Sequence, residues 1–366
     1  MINRIVFAAG GTGGHIYPAI AIADELRKLN EKIEIKFIGA KGRIEEKIVP
    51  KSGYQLETID ISGFKRSLSP QNVKVTLKFL KAVKETKKFL KEFEPGIVFG
   101  TGGFVTGPVL WSAVKLGIPS VIQEGNAYPG ITTKWLSSKV DKLILNFEET
   151  KKYLKRQNNI EIMSYPVREN LKRYSKEYAS KYFGLNSGRK ILFVFGGSQG
   201  ANSINTAMLK CFDNIAGSGV QIIWQTGESD FERISKTVSS NKNVKILKYI
   251  DDIDYAYSAC DLIVCRAGVS TIMELASFGL AAVFVPYPLA SENHQEKNAR
   301  EFAEKHAGEL ILDKDLNQRL ENTILGLIND DNKLNYMRNN IKQFADTKAA
   351  SKIAQLLINM VNSSKN

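Results

Sequence analysis

The sequence predicts an α/β chain of two doubly wound parallel-sheet domains in tandem. Three observations carry this. Strand-like apolar runs alternate with segments of helical periodicity from one end of the chain to the other. Two of those runs, RIVFAAGGTGGHIYP at 4–18 and KILFVFGGSQGANSI at 190–204, break into a glycine-rich turn. The two superpose at a constant offset of 186, which sets Gly10–Gly11 on Gly196–Gly197, Thr12 on Ser198, Gly14 on Gly200 and His15 on Ala201.

In the first half, strands are expected at Arg4–Ala8, Ile33–Ile38, Gln55–Ile59, Ile97–Gly100, Ser120–Gln123, Lys142–Leu145 and Glu161–Met163. In the second half they are expected at Lys190–Phe195, Val220–Gln225, Val244–Leu247, Leu262–Cys265, Ala282–Val285 and Gly308–Ile311. Helical spacing marks Ala19–Leu29, Val73–Phe93, Ala201–Phe212 and Ile272–Phe278 between them. Two series, each opened by a glycine loop, imply two Rossmann-like domains facing across a cleft, 1–165 and 166–345, with the junction near Ser164–Val167 where a proline interrupts the pattern. The tail, 346–366, reads as a final helix that packs back toward the first domain.

Composition narrows the class. With 43% hydrophobic and 24% charged residues the chain is of ordinary globular type. Six residues between Arg4 and the glycine loop are too few for a signal-peptide core, and the long uncharged stretch Ile97–Val114 is divided by four glycines and Pro108, so no membrane span is expected. Cys211, Cys260 and Cys265 form no metal-ligand spacing and read as reduced, buried thiols. The net charge of +13 is uneven, since residues 1–165 hold 26 Lys and Arg against 16 Asp and Glu. A one-sided basic field points to a polyanionic partner, nucleic acid or an acidic membrane surface.

A glycine turn after a strand presents backbone N–H groups and a helix start to an anion, phosphate above all. The dinucleotide fingerprint fails in both copies. Ile16 stands where its third glycine belongs, the next strand ends Gly39-Ala40-Lys41 without a carboxylate, and the second copy is followed by Gln225-Thr226-Gly227. There is no GxxxxGK[ST] either. What remains is a diphosphate with one nucleoside, and two such domains across a cleft form the B-type glycosyltransferase architecture.

Specific segments then resemble the MurG family, bacterial peptidoglycan enzymes that add N-acetylglucosamine from UDP-N-acetylglucosamine to a lipid-linked muramyl-pentapeptide. They are GGTGGHIYPAIAIADEL (10–26), ISGFKR (61–66), GTGGFVTGPV (100–109), QEGNAYPGITTKWL (123–136), YPVRE (165–169), FGGSQGANSIN (195–205), YIDDIDYAYSACDLIVCRAGVSTIMELASFGLAAVFVPYP (249–288) and HQEKNA (294–299). They run through nearly the whole chain in order. The family's His-Glu-Gln-Asn reads Gln123-Glu124-Gly125-Asn126 here, and 288–293 is one residue longer than the pattern.

Roles follow. His15 ends the first glycine loop, and an imidazole there can take a proton from an attacking hydroxyl or merely contact a backbone group. The contrast with Ala201 favours the base, and Glu124 stands in reserve for it. The resemblance implies that Thr12, Gly13 and Gly14 shape the pocket, that Asn126 meets the donor sugar and that Arg168 neutralises the departing UDP. Ser198 is expected on a donor phosphate or as a helix cap. The resemblance also puts the Ile250 backbone on the uracil edge, Tyr249 over the ring, Val269, Ser270 and Thr271 at the diphosphate, Glu274 on the ribose and Gln295 on the sugar. Thr271 and Glu274 also fit a capping box. Asp252-Ile253-Asp254 is read as helix-capping acids rather than a metal motif. No resident metal is expected, although Mg2+ can accompany a diphosphate.

The segment 72–93 carries seven lysines and two glutamates, with Leu77, Leu80, Val83 and Leu90 near helical spacing. Such a helix is either a solvated face over a core contact or a surface for anionic lipid, at about 1 kcal/mol per basic residue. The domains are therefore expected to be an acceptor-binding, membrane-facing one and a UDP-sugar-binding one. The partners expected are UDP-N-acetylglucosamine, undecaprenyl-diphosphate-linked muramyl-pentapeptide and anionic lipids of the inner leaflet. Two alternatives stand beside this: a UDP-sugar 2-epimerase of the same design, and a nucleic-acid binder. No RNP, KH or zinc motif supports the latter.

Overall fold

The computed structural model describes residues 4–63, 71–155, 158–168, 171–197, 199–238 and 241–363. It divides into two compact units, Met1–Arg168 with Asp346–Asn366, and Glu169–Ala345.

The first unit is a seven-stranded parallel sheet in the order β3-β2-β1-β4-β5-β6-β7. Its strands are β1 (Arg4–Ala8), β2 (Glu34–Ala40), β3 (Gln55–Ile59), β4 (Ile97–Gly100), β5 (Ser120–Glu124), β6 (Lys142–Leu145) and β7 (Ile160–Ile162). The inner strands β1, β4, β5 and β6 bury both faces, which is why they read as continuous apolar runs, whereas the edge strands β3 and β7 are largely exposed or half-buried. On one face Ile5, Phe7, Phe99 and Val121 pack under α1 (Gly13–Leu29) and α14 (Ala349–Ser363), the latter through Ile353, Ala354, Leu357 and Val361. On the other, Val6, Ala8, Val98 and Ile122 pack under α3 (Gln71–Phe93), α4 (Gly103–Lys115) and α5 (Ile131–Leu136). A short α2 (Glu45–Lys51) follows β2.

Two helices of this unit differ from the sequence reading. The first begins at Gly13, not Ala19, with Pro18 inside it. Glycines and a proline read as breakers, yet Pro18 only leaves the Gly14 carbonyl without its usual N–H, and Tyr165 Oη donates to that carbonyl instead. In α3 the core stripe is Val75, Ala82, Leu90 and Phe93, whereas Leu77 and Leu80 are 62% and 59% exposed.

The second unit is a six-stranded parallel sheet in the order β10-β9-β8-β11-β12-β13. Its strands are β8 (Ile191–Phe195), β9 (Gln221–Gln225), β10 (Val244–Leu247), β11 (Leu262–Cys265), β12 (Ala281–Phe284) and β13 (Glu309–Leu310). Leu192, Val194, Ile222 and Trp224 pack under α7 (Asn202–Gly217) and α12 (Leu316–Ile328). The helices α6 (Lys176–Tyr182), α8 (Glu228–Val238), α9 (Ile253–Ala259), α10 (Val269–Phe278), α11 (His294–Glu304) and α13 (Asp331–Lys342) complete the unit. All three cysteines are free and buried, and burial pushes the Cys211 thiol up to about 12. Both sheets have the doubly wound order, whose ligand crevice lies at the strand carboxyl ends where the order reverses. In the first unit that point falls between β1 and β4, in the second between β8 and β11. Among the described residues no helix is long and apolar enough to cross a membrane.

Candidate active site

At the first switch point the β1–α1 turn meets the β4–α4 turn. His15 Nδ1 lies 2.8 Å from the Thr101 carbonyl oxygen, and Thr101 Oγ1 donates to the His15 carbonyl at 2.6 Å. A carbonyl only accepts, so Nδ1 carries the proton and the neutral ring keeps its acceptor lone pair on Nε2. The Thr101 carbonyl thus favours the tautomer a general base needs. Gly102 and Gly103, at φ +93° and +78°, carry the chain past the ring: a Cβ on either would sit 3.1 Å from an imidazole carbon. Thr12, exposed, precedes α1 without its side chain capping the helix. Gly13 packs against the Tyr17 ring, and the Arg168 guanidinium lies 5.0 Å from the centre of the same ring. Arg168 therefore belongs to the first unit and sits beside the first glycine loop.

The reserve base is engaged elsewhere. Glu124 is 4% exposed and accepts from Asn126 N and Nδ2 on one oxygen, at 3.1 and 3.0 Å. Its other oxygen accepts from Gly130 N at 3.0 Å and Thr133 Oγ1 at 2.8 Å. All four lone-pair sites of the carboxylate are used, and Glu124 staples the 125–133 turn. Asn126 is held within that turn.

At the second switch point Gly197, at φ +91°, follows β8, and a Cβ there would meet nothing within 4 Å. Gly200 is required by close backbone approach, since a Cβ would lie 2.1 Å from the Thr226 carbonyl. Ser198 lies outside the described residues. Gln225, 2% exposed, donates from Nε2 to the Gly197 carbonyl at 3.0 Å and accepts from Ile250 N at 2.9 Å. It ties the loop to the residue expected at the uracil edge, and it engages that residue's N–H. Tyr249 is half-exposed beside it.

The capping-box reading is corrected. Helix α10 starts at Val269 behind Gly268, so Thr271 lies in its first turn, and the Glu274 carboxylate instead accepts from Tyr257 Oη at 3.0 Å. Val269 and Ser270 open the same helix. The reading of Asp252 and Asp254 as helix-start acids holds in position and is corrected in one detail: Asp252 is the N-cap residue of α9 but its side chain makes no cap bond, while Asp254, in the first turn, accepts from Tyr255 N and from Lys172 N, each at 3.1 Å. Gln295 Oε1 accepts from Tyr287 N at 2.9 Å. Sequence reasoning missed Gln225, Tyr17 and Glu45. The sign of Gln225 lay in plain view, at the strand end where a dinucleotide enzyme carries an acid. Two shallow grooves of about 500 and 350 Å³ flank β3, lined by Tyr54 and Glu57 and by Lys81 and Phe89 among others, and none of the expected site residues lines either.

The paired sheets and paired glycine turns place the chain in the class of two-domain nucleotide-sugar enzymes. Family models for the glycosyltransferase family 28 N-terminal and C-terminal domains match residues 5–145 and 191–356. A UDP-N-acetylglucosamine--N-acetylmuramyl-(pentapeptide) pyrophosphoryl-undecaprenol N-acetylglucosamine transferase of Caldanaerobacter subterraneus subsp. tengcongensis is 38% identical over 97% of this chain and 99% of its own length. The chain belongs to glycosyltransferase family 28, with the transferases of that name. The crystal structure of Acinetobacter baumannii MurG matches 98% of the chain and 99% of its own at TM-score 0.78 and 26% identity. A Neisseria meningitidis UDP-GlcNAc 2-epimerase bound to UDP-GlcNAc matches 97% of the chain and 100% of its own at TM-score 0.70 but 15% identity, a likeness of fold alone.

Proposed function

We propose that this glycosyltransferase moves N-acetylglucosamine from UDP-N-acetylglucosamine to a lipid-linked N-acetylmuramyl-pentapeptide diphosphate, the step that completes the disaccharide of the peptidoglycan precursor. The full-length likeness to transferases of that name carries the reading; the epimerase alternative has fold likeness only. The second unit holds the donor, with Gly197 and the start of α10 at the diphosphate, Glu274 on the ribose, and Ile250 and Tyr249 at the base. The first unit holds the acceptor. His15 Nε2 removes the proton of the acceptor hydroxyl as its oxygen attacks the anomeric carbon; the bond from that carbon to UDP breaks, and the configuration inverts. Arg168 meets negative charge developing on a diphosphate. The reading asks for no resident metal; Mg2+ can arrive with the nucleotide.

The first unit also docks on the inner leaflet of the cytoplasmic membrane. Exposed Leu77 and Leu80 share the outer face of α3 with its lysines, and Trp135, 37% exposed, stacks near Trp111 at 5.0 Å. Apolar side chains ringed by lysines fit anionic lipid. Incubation with radiolabelled UDP-N-acetylglucosamine is expected to label a lipid-linked muramyl acceptor, and to give no 2-epimer without it. Release of the epimer without acceptor, or no label in the lipid, overturns the reading. Liposome co-sedimentation is expected to fall on reversing Lys74, Lys84, Lys87 and Lys91; unchanged binding overturns the docking surface.

A further inference from the structure

One buried carboxylate has no part in the chemistry above. Glu45, the first residue of α2, is 0% exposed. It lies beneath the first glycine loop, where Gly11 N approaches its two oxygens at 3.2 and 3.1 Å and Ala40 N donates to Oε1 at 2.8 Å. Two glycines leave it room: a Cβ on Gly10 would lie 2.3 Å from its Oε1 and one on Gly39 2.6 Å from its Cγ. A glycine turn with its amide turned to an anion is a phosphate cradle, but here the anion is part of the chain. The Phe104 ring closes the loop from the side, 2.9 Å from a Cβ on Gly11.

We propose that Glu45 is the positioning and specificity-determining residue of the first loop: it fills the anion-receiving side of Gly11, fixes the turn that aims His15, and keeps phosphate out. The path is short. Gly11 precedes Thr12, whose carbonyl accepts from His15 N at 3.0 Å and Ile16 N at 3.3 Å, starting α1 and setting the imidazole opposite Thr101. A carboxylate that also kept a phosphoryl group from this turn would reserve it for a neutral hydroxyl. The inference rests on the reading of His15 given above, and its test separates the two.

The test compares Glu45→Gln, which keeps the shape, with Glu45→Ala, which empties the site. Expected for both is a fall in kcat of at least about tenfold, as for a slightly misplaced catalytic group, with KM for UDP-N-acetylglucosamine within about twofold. The alanine variant is further expected to be protected from thermal unfolding by inorganic phosphate, unlike the wild type, and to regain activity with acetate. Wild-type kcat in the glutamine variant, or lost activity that tracks lost thermal stability without phosphate protection in either variant, overturns the inference. Should His15→Ala leave turnover intact, the reading of His15 fails, while phosphate protection, which needs no turnover, still decides whether Glu45 guards the loop. If the alanine variant does not fold, the glutamine variant decides: a fall in kcat of about tenfold or more at wild-type thermal stability supports the inference, and wild-type kcat overturns it.

Discussion

The two glycine loops start alike and end differently. Gly11 and Gly197 share the same left-handed backbone, φ +90° and +91°, at matched positions of the 186-residue repeat. Past that residue they part: α1 begins two residues after Gly11, α7 five residues after Gly197. The first loop is closed underneath by Glu45 and beside by Phe104, whereas Gly197 faces open space and its carbonyl is held by Gln225. The same turn is thus filled from within in one domain and open in the other. Repetition in sequence preserves the turn; on the function proposed above, what packs against it decides whether the turn aims a side chain or receives a phosphate.

The sharpest way to break this comparison is at the one side chain the second loop lacks. His15→Ala is expected to lower kcat by about 10²–10⁴, the range for a lost general base, with KM for UDP-N-acetylglucosamine little changed, as steady-state kinetics will show. A comparable rise in that KM would mean the first loop handles the donor. Gln225→Leu attacks the other loop. It removes the bridge from Gly197 to Ile250 and leaves the buried Ile250 N–H and the half-buried Gly197 carbonyl without this partner, a loss of about 1–3 kcal/mol. The expected outcome is a KM for UDP-N-acetylglucosamine raised about tenfold or more with kcat nearly kept; a selective fall in kcat would undo the assignment.

Alanine at the matched glycines compares the loops directly. Either substitution forces a side chain into a left-handed conformation at a cost on the order of 1–3 kcal/mol. Gly11→Ala also drives its methyl to 2.9 Å from Phe104, while the methyl of Gly197→Ala meets nothing within 4 Å. Denaturant unfolding is expected to show the greater loss for Gly11→Ala, and kinetics the greater rise in donor KM for Gly197→Ala. Equal effects on both measures would mean that the loops are the same device after all.

Much of this was legible in the sequence for physical reasons. Strands buried on both faces leave unbroken apolar runs such as Arg4–Ala8 and Leu262–Cys265, so the strands stand where periodicity places them, with ends moved by a residue or two. Helix starts were less legible. Gly13, Gly14 and Pro18 carry the signs of a broken helix, and only a partner distant in sequence, Tyr165, shows how the helix tolerates them. The outer position of Leu77 and Leu80 in α3 is set by which stripe meets the sheet, a tertiary fact. Within the site, His15 declared itself by its absence from the second loop. Glu45 did not, because only the fold sets it against the backbone N–H groups of Gly11 and Ala40, and although Gln225 stood at a legible strand end, its bonds to Gly197 and Ile250 show only in the structure. Glu124 shows the reverse hazard: a carboxylate in the right segment, taken up entirely by its own turn.

The smallest expected effect concerns how α7 is held behind the second loop. Asp230, in the first turn of α8, accepts from Asn202 Nδ2 at 3.1 Å, Asn205 Nδ2 at 2.8 Å and Arg233 Nη2 at 2.9 Å. Burial raises its carboxyl, but the donors Asn205, Arg233 and Asn202 outweigh this and hold it below the usual carboxylate range. A group whose proton affinity is lowered by folding adds stability that is present above its unfolded pKa, about 3.9, and is lost as pH falls through the folded value. Asp230→Asn is therefore expected to be less stable than the wild type by about 1–2 kcal/mol at pH 7. That gap should narrow as the pH drops below about 4, where the wild-type carboxylate takes up its proton. Urea unfolding at both pH values checks it. A gap that persists in acid would place the loss in shape rather than charge, and the start of α7 would then be held by packing, as the first loop is held by Phe104.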